Sequence, residues 1–422
     1  MTDYRAVGEQ VWQGEAGLWQ WNKALEDSVA IDLTDDAAYV ASRGVVGNVT
    51  LIRTNDGLVM IDSGNMMVSE RIQAAARGWD GARVNTLIYT HGHLDHVFGA
   101  PLYDAEAEAN GWRRPVVVAH ENVARRFARY RLTAGLNGEI NGRQFGRALE
   151  WPTEYRQPDR TYAERLDLSV GGVALELHHG IGETDDQTWV WQPDRRMLVT
   201  GDFIIWAAPN AGNPQKVQRY ADGWARALTA MLAKEAEILV PGHGPAVYGA
   251  ERVRRMLEET IRFLEHVHDH TVAGMNRGES LDRILHGYQV PEDWLRRPYL
   301  NPSYDDPEFL VHNVWRLYGG WYDGNPAHLK PAPEAELARE LAVLAGGAGA
   351  LAERAEALRA EGELRLAGHL VELAARAAPD DGAVHGIRAK VYGDRVAAET
   401  SLMAKGIFGA AVRDSAAITK GD

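Results

Sequence analysis

The sequence predicts a layered α/β domain followed by an all-α region. Two observations carry this prediction. Between residues 37 and 250, short apolar runs alternate with segments of helical periodicity, the pattern of helices packed on sheets. From residue 251 onward, one helical segment follows another. The chain has 422 residues, which is longer than one ordinary domain, and its 45% hydrophobic content is enough to build a sizeable core.

The predicted elements follow in order along the chain. Residues 1–36 are rich in tryptophan and acidic side chains and are predicted to form an N-terminal arm. The α/β domain is predicted over residues 37–250, and its first strands are broken at Asn55-Asp56-Gly57, a hairpin signal. Beyond them we expect a helix over 69–79, strands over 85–89 and 115–119, a helix over 121–130, and strands over 165–170 and 172–178.

The C-terminal part divides at its helix breakers. A helical extension is predicted over 251–330, with one apolar face formed by Val253, Met256, Leu257, Ile261 and Leu264. The segment Lys330-Pro331-Ala332-Pro333 is a linker candidate. Residues 331–415 then read as tetratricopeptide-like helical hairpins, and residues 416–422 as a tail.

Composition limits location and partners. The net charge is −14 without a basic stripe, which argues against nucleic-acid binding because phosphate contacts supply most of that affinity. No apolar run reaches 18 residues and the first residues lack an apolar signal core, so we expect a cytoplasmic protein without a membrane partner. The absence of cysteine excludes disulfides and thiolate chemistry.

The stretch from Thr90 to Gly99 has the highest density of potential metal ligands in the chain. It follows an apolar run typical of a buried strand. Four potential metal ligands occur within six positions: His91, His93, Asp95 and His96. Burying them is costly unless a metal occupies their lone pairs. His91 and His93 alternate and can share one metal, whereas the two later residues follow a bend and can serve a second. Zinc fits these donors best, with iron and manganese as alternatives.

This H-x-H-x-D-H pattern resembles the metallo-β-lactamase superfamily. The remaining signature elements occur in the same order as in that superfamily: Asp62, Glu183, Asp202 and His243. Any one of these elements alone is a weak signal, but five in order are a strong match. The resemblance implies the αββα sandwich of that superfamily for the domain at 37–250, with catalysis at its metal site.

Two features narrow the resemblance to the alkylsulfatase-like branch, the type III sulfatases. Glu183 stands where many superfamily members have histidine. Residues 318–329 resemble the branch's Gly-Trp-Phe-Asp-Gly-Asn-Pro signature, and the helices that follow are similar to its dimerisation domain. The resemblance covers about residues 40–415. It implies a dimerisation domain at 331–415 and a homodimer formed through residues 251–415.

The resemblance also implies the ligand set. One metal takes His91, His93 and Glu183, the other takes Asp95, His96 and His243, and Asp202 bridges them. Two Zn²⁺ per chain are expected, with manganese or iron less favoured. Asp95 and Asp202 are the predicted catalytic residues. Asp62 and Thr184 are predicted to orient the ligands without binding metal.

A dinuclear centre of this kind performs hydrolysis, here with a metal-bridging hydroxide that cleaves a sulfate ester. Hydrolysis of a lactone, a β-lactam or another ester or amide is the alternative. A small anionic substrate with an apolar group needs polar donors and an apolar wall. The candidates for those roles are Arg143, Asn213, Arg219 and Trp206.

Two departures leave the substrate open. Gly201-Asp202 stands where the branch usually has Glu in an Ala-Glu-Asn context, and the sequence ends after the helices without the branch's sterol-carrier-like domain. Two other classes of protein are disfavoured. Flavin-linked di-iron relatives have Glu at the position of His93, and a scaffold without activity is disfavoured because the ligand set is complete.

Overall fold

The computed structural model describes residues 2–44 and 46–420. The strands are β1 (Val29–Thr34), β2 (Ala37–Ala41), β3 (Val49–Thr54), β4 (Gly57–Ile61), β5 (Val84–Ile88), β6 (Val116–His120), β7 (Arg160–Tyr162), β8 (Arg165–Val170), β9 (Val173–Gly180), β10 (Gln187–Gln192), β11 (Met197–Gly201), β12 (Ile238–Pro241) and β13 (Val247–Tyr248).

The helices of the α/β domain and its N-terminal arm are α1 (Tyr4–Gln13), α2 (Leu18–Ala24), α3 (Ser69–Trp79), α4 (Leu94–Val97), α5 (Ala100–Ala109), α6 (Asn122–Leu132), α7 (Ala134–Phe145) and α8 (Ala221–Leu232). Those that follow are α9 (Ala250–Asn276), α10 (Leu281–Gly287), α11 (Glu292–Leu295), α12 (Pro307–Gly319), α13 (Glu334–Ala345), α14 (Ala348–Ala360), α15 (Leu364–Ala377), α16 (Gly382–Ala398) and α17 (Leu402–Thr419). Short 3₁₀ turns occur at Pro193–Arg195 and Pro326–His328.

Two mixed sheets form the centre of the domain. The first has the order β1-β2-β3-β4-β5-β6-β7, and the second has the order β13-β12-β11-β10-β9-β8. In the first sheet β1 to β4 pair antiparallel, whereas β4 to β7 pair parallel. In the second sheet only β11 and β12 pair parallel among the described residues.

The alternation of side chains along the strands builds the layers. On β4, Val59 and Ile61 belong to the core between the sheets, whereas Leu58 and Met60 belong to a second core shared with α3 and α6. Both faces of β4 are therefore covered, as expected for a strand buried on two sides. Helices α8 and α9 cover the second sheet through the first core. This arrangement confirms the predicted αββα sandwich.

The ends of the strands determine where the polar residues of the site lie. Because β4 and β5 run parallel, as do β11 and β12, the residues after these strands emerge at common sheet edges. Asp62 follows β4, His91 lies just beyond β5, Asp202 follows β11 and His243 lies just beyond β12. Residues separated by up to 181 positions are thereby brought to one end of the sandwich.

The helical region packs against the sandwich. Helices α13 to α16 contact their neighbours as hairpins, α16 packs on α17, and α17 packs on α7. The helical part of the predicted fold is confirmed. At the other terminus, the residues predicted as an arm form α1, α2 and β1, and β1 is the edge strand of the first sheet.

Within residues 2–44 and 46–420, no helix combines the length and apolar character that crossing a membrane requires.

Candidate metal centre

The loop between β5 and α5 supplies four of the polar side chains. His91 and His96 are fully buried, and the short helix α4 begins directly after His93. His91 Nε2 lies 2.8 Å from His93 Nδ1, and the His91 and His96 ring centroids are 4.3 Å apart. Buried imidazoles this close together are typical of a metal site, because ring nitrogens are common metal ligands.

The predicted ligands form two groups. In each group, the ligand atoms lie within 4.8 Å of one another. One group contains His91, His93, Glu183 and Asp202, and the other contains Asp95, His96 and His243. The structure thus brings together all seven residues that the sequence singled out, and Asp202, the predicted bridge, lies in the first group.

Asp202 faces both groups. Its Oδ1 lies 3.3 Å from His96 Nε2 and 3.4 Å from His243 Nε2, while its Oδ2 lies 3.8 Å from His91 Nε2. Each carboxylate oxygen is therefore directed to a different group of donors.

The donor atoms fit divalent cations. Three of the buried ligand atoms have no hydrogen-bond partner in the part of the chain that the structure describes: His96 Nε2, Glu183 Oε2 and Asp202 Oδ1. Leaving such atoms unpaired costs about 1–3 kcal/mol each, and more for a charged group. A metal ion removes that cost, and imidazole with carboxylate is a donor set for zinc and related divalent metals. The chain therefore carries a site suited to divalent metal.

Burial keeps two of the histidine rings in the neutral form that binds metal. It lowers the pKa of His91 to about 3 and also lowers the pKa of His93 well below its usual value, so both rings are neutral at neutral pH. Burial alone raises the pKa of Asp202, but the nearby rings of His96 and His243 outweigh it and hold that pKa well below its usual range. Asp202 is thus an anion.

Asp62 orients two parts of the metal loop. Its Oδ2 accepts hydrogen bonds from His96 Nδ1 at 2.8 Å and from the Thr90 hydroxyl at 2.7 Å, and its Oδ1 accepts one from the Thr90 backbone N–H. Engaging Nδ1 leaves His96 Nε2 to face Asp202. Asp62 has a left-handed backbone with φ of 64°, a strained conformation for a non-glycine residue that these contacts hold in place.

Glu183 is held by two donors. Its Oε1 accepts hydrogen bonds of 2.5 Å from Arg219 Nη1 and 2.5 Å from Asn210 Nδ2, while Oε2 lies 3.9 Å from His93 Nδ1. Burial raises the pKa of Glu183, and Arg219 opposes that rise. Only Oε2 is free to bind a metal, because Oε1 is already engaged.

The predicted substrate residues occupy different environments. Arg219 is buried against Glu183, and Asn213 lines the cavity with its amide 2.9 Å from Met403 Sδ. Arg143 donates to Gln215 on the surface and is not part of the cavity wall.

Trp206 is also not part of the cavity wall. It packs on Trp12 and Tyr299, and its indole N–H donates to the Pro245 carbonyl. Its neighbour Ile205 lines the cavity instead. Thr184 is buried beside the metal ligands and its hydroxyl has no hydrogen-bond partner among the described residues.

An open cavity of about 970 Å³ leads to the two groups of ligands. Part of its wall consists of apolar side chains that remain exposed, including Trp19, Met66, Met67, Leu136 and Phe145. Sequence reasoning did not single out three polar residues of the wall: Asn210, Lys216 and Tyr304. Lys216 lies between two of the predicted candidates, so proximity in sequence was the available signal. For Tyr304, the sequence offered no such signal.

Family comparisons agree with the geometry. Residues 42–243 match the metallo-beta-lactamase superfamily, and residues 280–416 match the alkyl sulfatase dimerisation family. The chain belongs to the metallo-β-lactamase superfamily, in its alkylsulfatase-like branch, as the sequence resemblance predicted.

Individual relatives lie in the same branch. The chain is 25% identical to a linear primary-alkylsulfatase of Pseudomonas sp. (strain ATCC 19151) over 81% of its length and 69% of the relative's. It is 25% identical to the alkyl/aryl-sulfatase BDS1 of Saccharomyces cerevisiae over 86% of its length and 60% of that protein's. The structure of the inverting sec-alkylsulfatase Pisa1 from Pseudomonas sp. shares its fold, with a TM-score of 0.82 at 21% identity, covering 94% of this chain and 67% of Pisa1.

Proposed function

We propose that this protein is a dinuclear metal-dependent hydrolase that cleaves a sulfate ester. The observation that carries the proposal is the pair of ligand groups that share Asp202 at the base of a large cavity. The match of residues 280–416 to the alkyl sulfatase dimerisation family supports sulfate esters over the other substrates of the superfamily.

The residues of the site have different proposed roles. Two Zn²⁺ ions bound by the seven ligands would activate water and polarise the ester. Asp202 and Asp95 are the proposed catalytic carboxylates, because both face the His96 and His243 rings at the cavity base. Glu183 is held by Arg219 so that one oxygen stays free, and Asp62 fixes His96. The apolar wall accommodates the organic group of the ester.

Hydrolysis of a lactone, β-lactam or other ester or amide by the same centre is the alternative. Both readings are tested with purified protein loaded in turn with zinc, manganese or iron. Primary and secondary alkyl sulfates, an aryl sulfate, a lactone and nitrocefin are the substrates. We expect release of inorganic sulfate, measured by ion chromatography, and about two zinc ions per chain by elemental analysis.

Matched variants make that assay specific. Asp95→Asn should abolish sulfate release, and Asp194→Asn, at an exposed 3₁₀ turn remote from the ligands, should leave it unchanged. Turnover of the lactone or nitrocefin with no sulfate release from any ester would replace the proposal with the alternative.

The assembly follows from the same domain assignment. We propose a catalytic domain at 37–250, a helical extension at 251–330 and a dimerisation domain at 331–415 that forms a homodimer. Four large apolar side chains on α13 and α15 are exposed in the single chain: Leu337, Val343, Leu344 and Leu366. A second copy would cover such side chains, since contiguous exposed apolar surface is typical of an interface.

A further inference from the structure

We propose that Lys216 binds the anionic group of the substrate, with the hydroxyl of Tyr304 as a second donor. The inference rests on the proposed function and identifies the side chains that would bind the sulfate group of the substrate. The seven predicted ligands account for metal binding, but none of the three polar substrate candidates supplies a free cation at the cavity wall: Arg219 is paired, Arg143 is on the surface and Asn213 is neutral.

Lys216 has the required position. It lies on the loop between β11 and α8 and lines the cavity together with Asn141 and Trp151. Its ammonium donates a hydrogen bond of 3.1 Å to Asn141 Oδ1 and lies 5.9 Å from the centre of the Trp151 ring. Asn141 is its one hydrogen-bond partner in the described part of the chain, so two of its three N–H donors are available to a ligand.

Lys216 lines the same cavity as the two groups of metal ligands. Burial and the charge of Arg219 lower its pKa to about 8, while the carboxylates of Glu183 and Asp95 oppose that decrease. These last two residues belong to different ligand groups, and both line the same cavity as Lys216. At neutral pH the side chain is still mostly charged, and a charged donor in a desolvated wall binds an anion strongly.

Three other arginines of the cavity wall are less suited, and a fourth, Arg129, has its guanidinium 5.7 Å from the centre of the Tyr130 ring. Arg126 forms salt bridges with Asp185 and Asp186, and Arg219 forms one with Glu183. Arg147 is exposed and its guanidinium contacts Met67 Sδ. Lys405, on α17, is the matched competitor because it is a lysine of the same wall that lies on the helical side.

Tyr304 supplies the second donor from the helical region. Its hydroxyl accepts a hydrogen bond of 3.4 Å from Gln144 Nε2, which leaves its own O–H to donate. Burial raises the pKa of Tyr304, with Glu183 and Asp95 acting in the same direction, so the hydroxyl stays protonated. Residues 280–416 match the dimerisation family, so this residue brings that region into the substrate site.

The test measures binding of inorganic sulfate to the zinc-loaded full-length protein by titration calorimetry. Lys216→Met should weaken sulfate binding by about tenfold or more, the effect of losing a charge-assisted hydrogen bond. Lys216→Arg should recover most of the affinity, and Tyr304→Phe should weaken it by a smaller factor. Lys405→Met should change it by less than about twofold. Metal content and melting temperature are measured for every variant.

Kinetics separate a binding role from a structural one. In hydrolysis of an alkyl sulfate, Lys216→Met should raise KM by a larger factor than it lowers kcat, because it removes an interaction made with the ground state. Sulfate affinity that is unchanged in Lys216→Met, or reduced as much by Lys405→Met, overturns the inference, as does a wild-type protein that binds no sulfate. Sulfate binding that depends on Lys216 without turnover of any sulfate ester would instead reject the proposed function and retain the anion site.

Discussion

His96 Nδ1 donates a hydrogen bond of 2.8 Å to Asp62 Oδ2, and this contact fixes the ring whose other nitrogen faces Asp202. Asp62 directly follows β4, whereas His96 belongs to α4. A residue of one strand end therefore sets the tautomer and direction of a predicted metal ligand. Partners of this kind are worth about 10- to 100-fold in metal affinity.

Replacing Asp62 tests that relationship. We expect Asp62→Ala to weaken zinc binding by about 10- to 100-fold, since His96 loses its orienting acceptor. Zinc affinity is measured by competition with a chromophoric chelator, and Asp194→Asn serves as the surface control. An unchanged affinity of Asp62→Ala would show that the strand-end carboxylate has no role in metal binding.

Arg219 and Glu183 form a buried pair, with both side chains less than 5% exposed. Arg219→Met leaves the Glu183 carboxylate with one donor, Asn210, and removing one partner of a buried pair costs about 3–5 kcal/mol. We expect that loss in the unfolding free energy of the metal-free protein, measured by denaturant titration. Arg226→Met, at an exposed pair on α8, is the control and should cost less than about 1 kcal/mol.

Gly242 lies against the shared carboxylate. A Cβ at this position would lie 2.0 Å from Asp202 Oδ1, so Gly242→Ala must displace either the backbone or Asp202. We expect bound metal to fall from two ions toward fewer by elemental analysis. Gly135→Ala, on the exposed side of α7 with no atom within 4 Å, should keep the full metal content. Equal metal content in both variants would contradict the role of Asp202 at this position.

Asp186 gives a pH dependence of stability. Burial alone raises its pKa, but Arg126, 2.7 Å away, outweighs it and lowers the pKa from 3.8 to about 2. A folded-state pKa below the unfolded one stabilises the protein above pH about 4, and that stabilisation is lost as pH falls toward 2. The shift corresponds to about 2–3 kcal/mol.

The measurement compares wild type with Asp186→Asn in EDTA. The difference in unfolding free energy should be largest near pH about 6 and shrink below pH about 4. Asp185→Asn, whose side chain is 45% exposed, should show a smaller difference. A difference that stays constant with pH would mean that Asp186 does not titrate as described.

The homodimer can be tested on α13. Val343 and Leu344 are 76% and 84% exposed in the single chain, so glutamate at either position should not disturb the fold. If they lie in the interface, Val343→Glu with Leu344→Glu should convert a dimer to a monomer in light scattering at micromolar concentration. Leu132→Glu, 85% exposed on α6, is the matched control and should leave the dimer intact.

Local sequence patterns predict many of the helices and strands correctly. The predicted helix at 69–79 is α3, with the same residues, and the predicted strands at 165–170 and 172–178 are β8 and β9 within two residues. Their periodicity and flanking polar residues depend only on neighbours in sequence. Residues 29–34 fall within the predicted N-terminal arm, yet they form β1 through hairpin pairing with β2.

The sequence by itself determined the family, the sandwich and the set of seven candidate metal ligands. The types of ligand and the order of the motifs can be read directly from the amino-acid sequence. Tertiary structure decided what surrounds those ligands. It pairs Arg219 with Glu183, packs Trp206 on Trp12 and brings Lys216 and Tyr304 to one cavity wall. These contacts join loops whose positions depend on how the sheets and the helical region pack, and no local pattern encodes that packing.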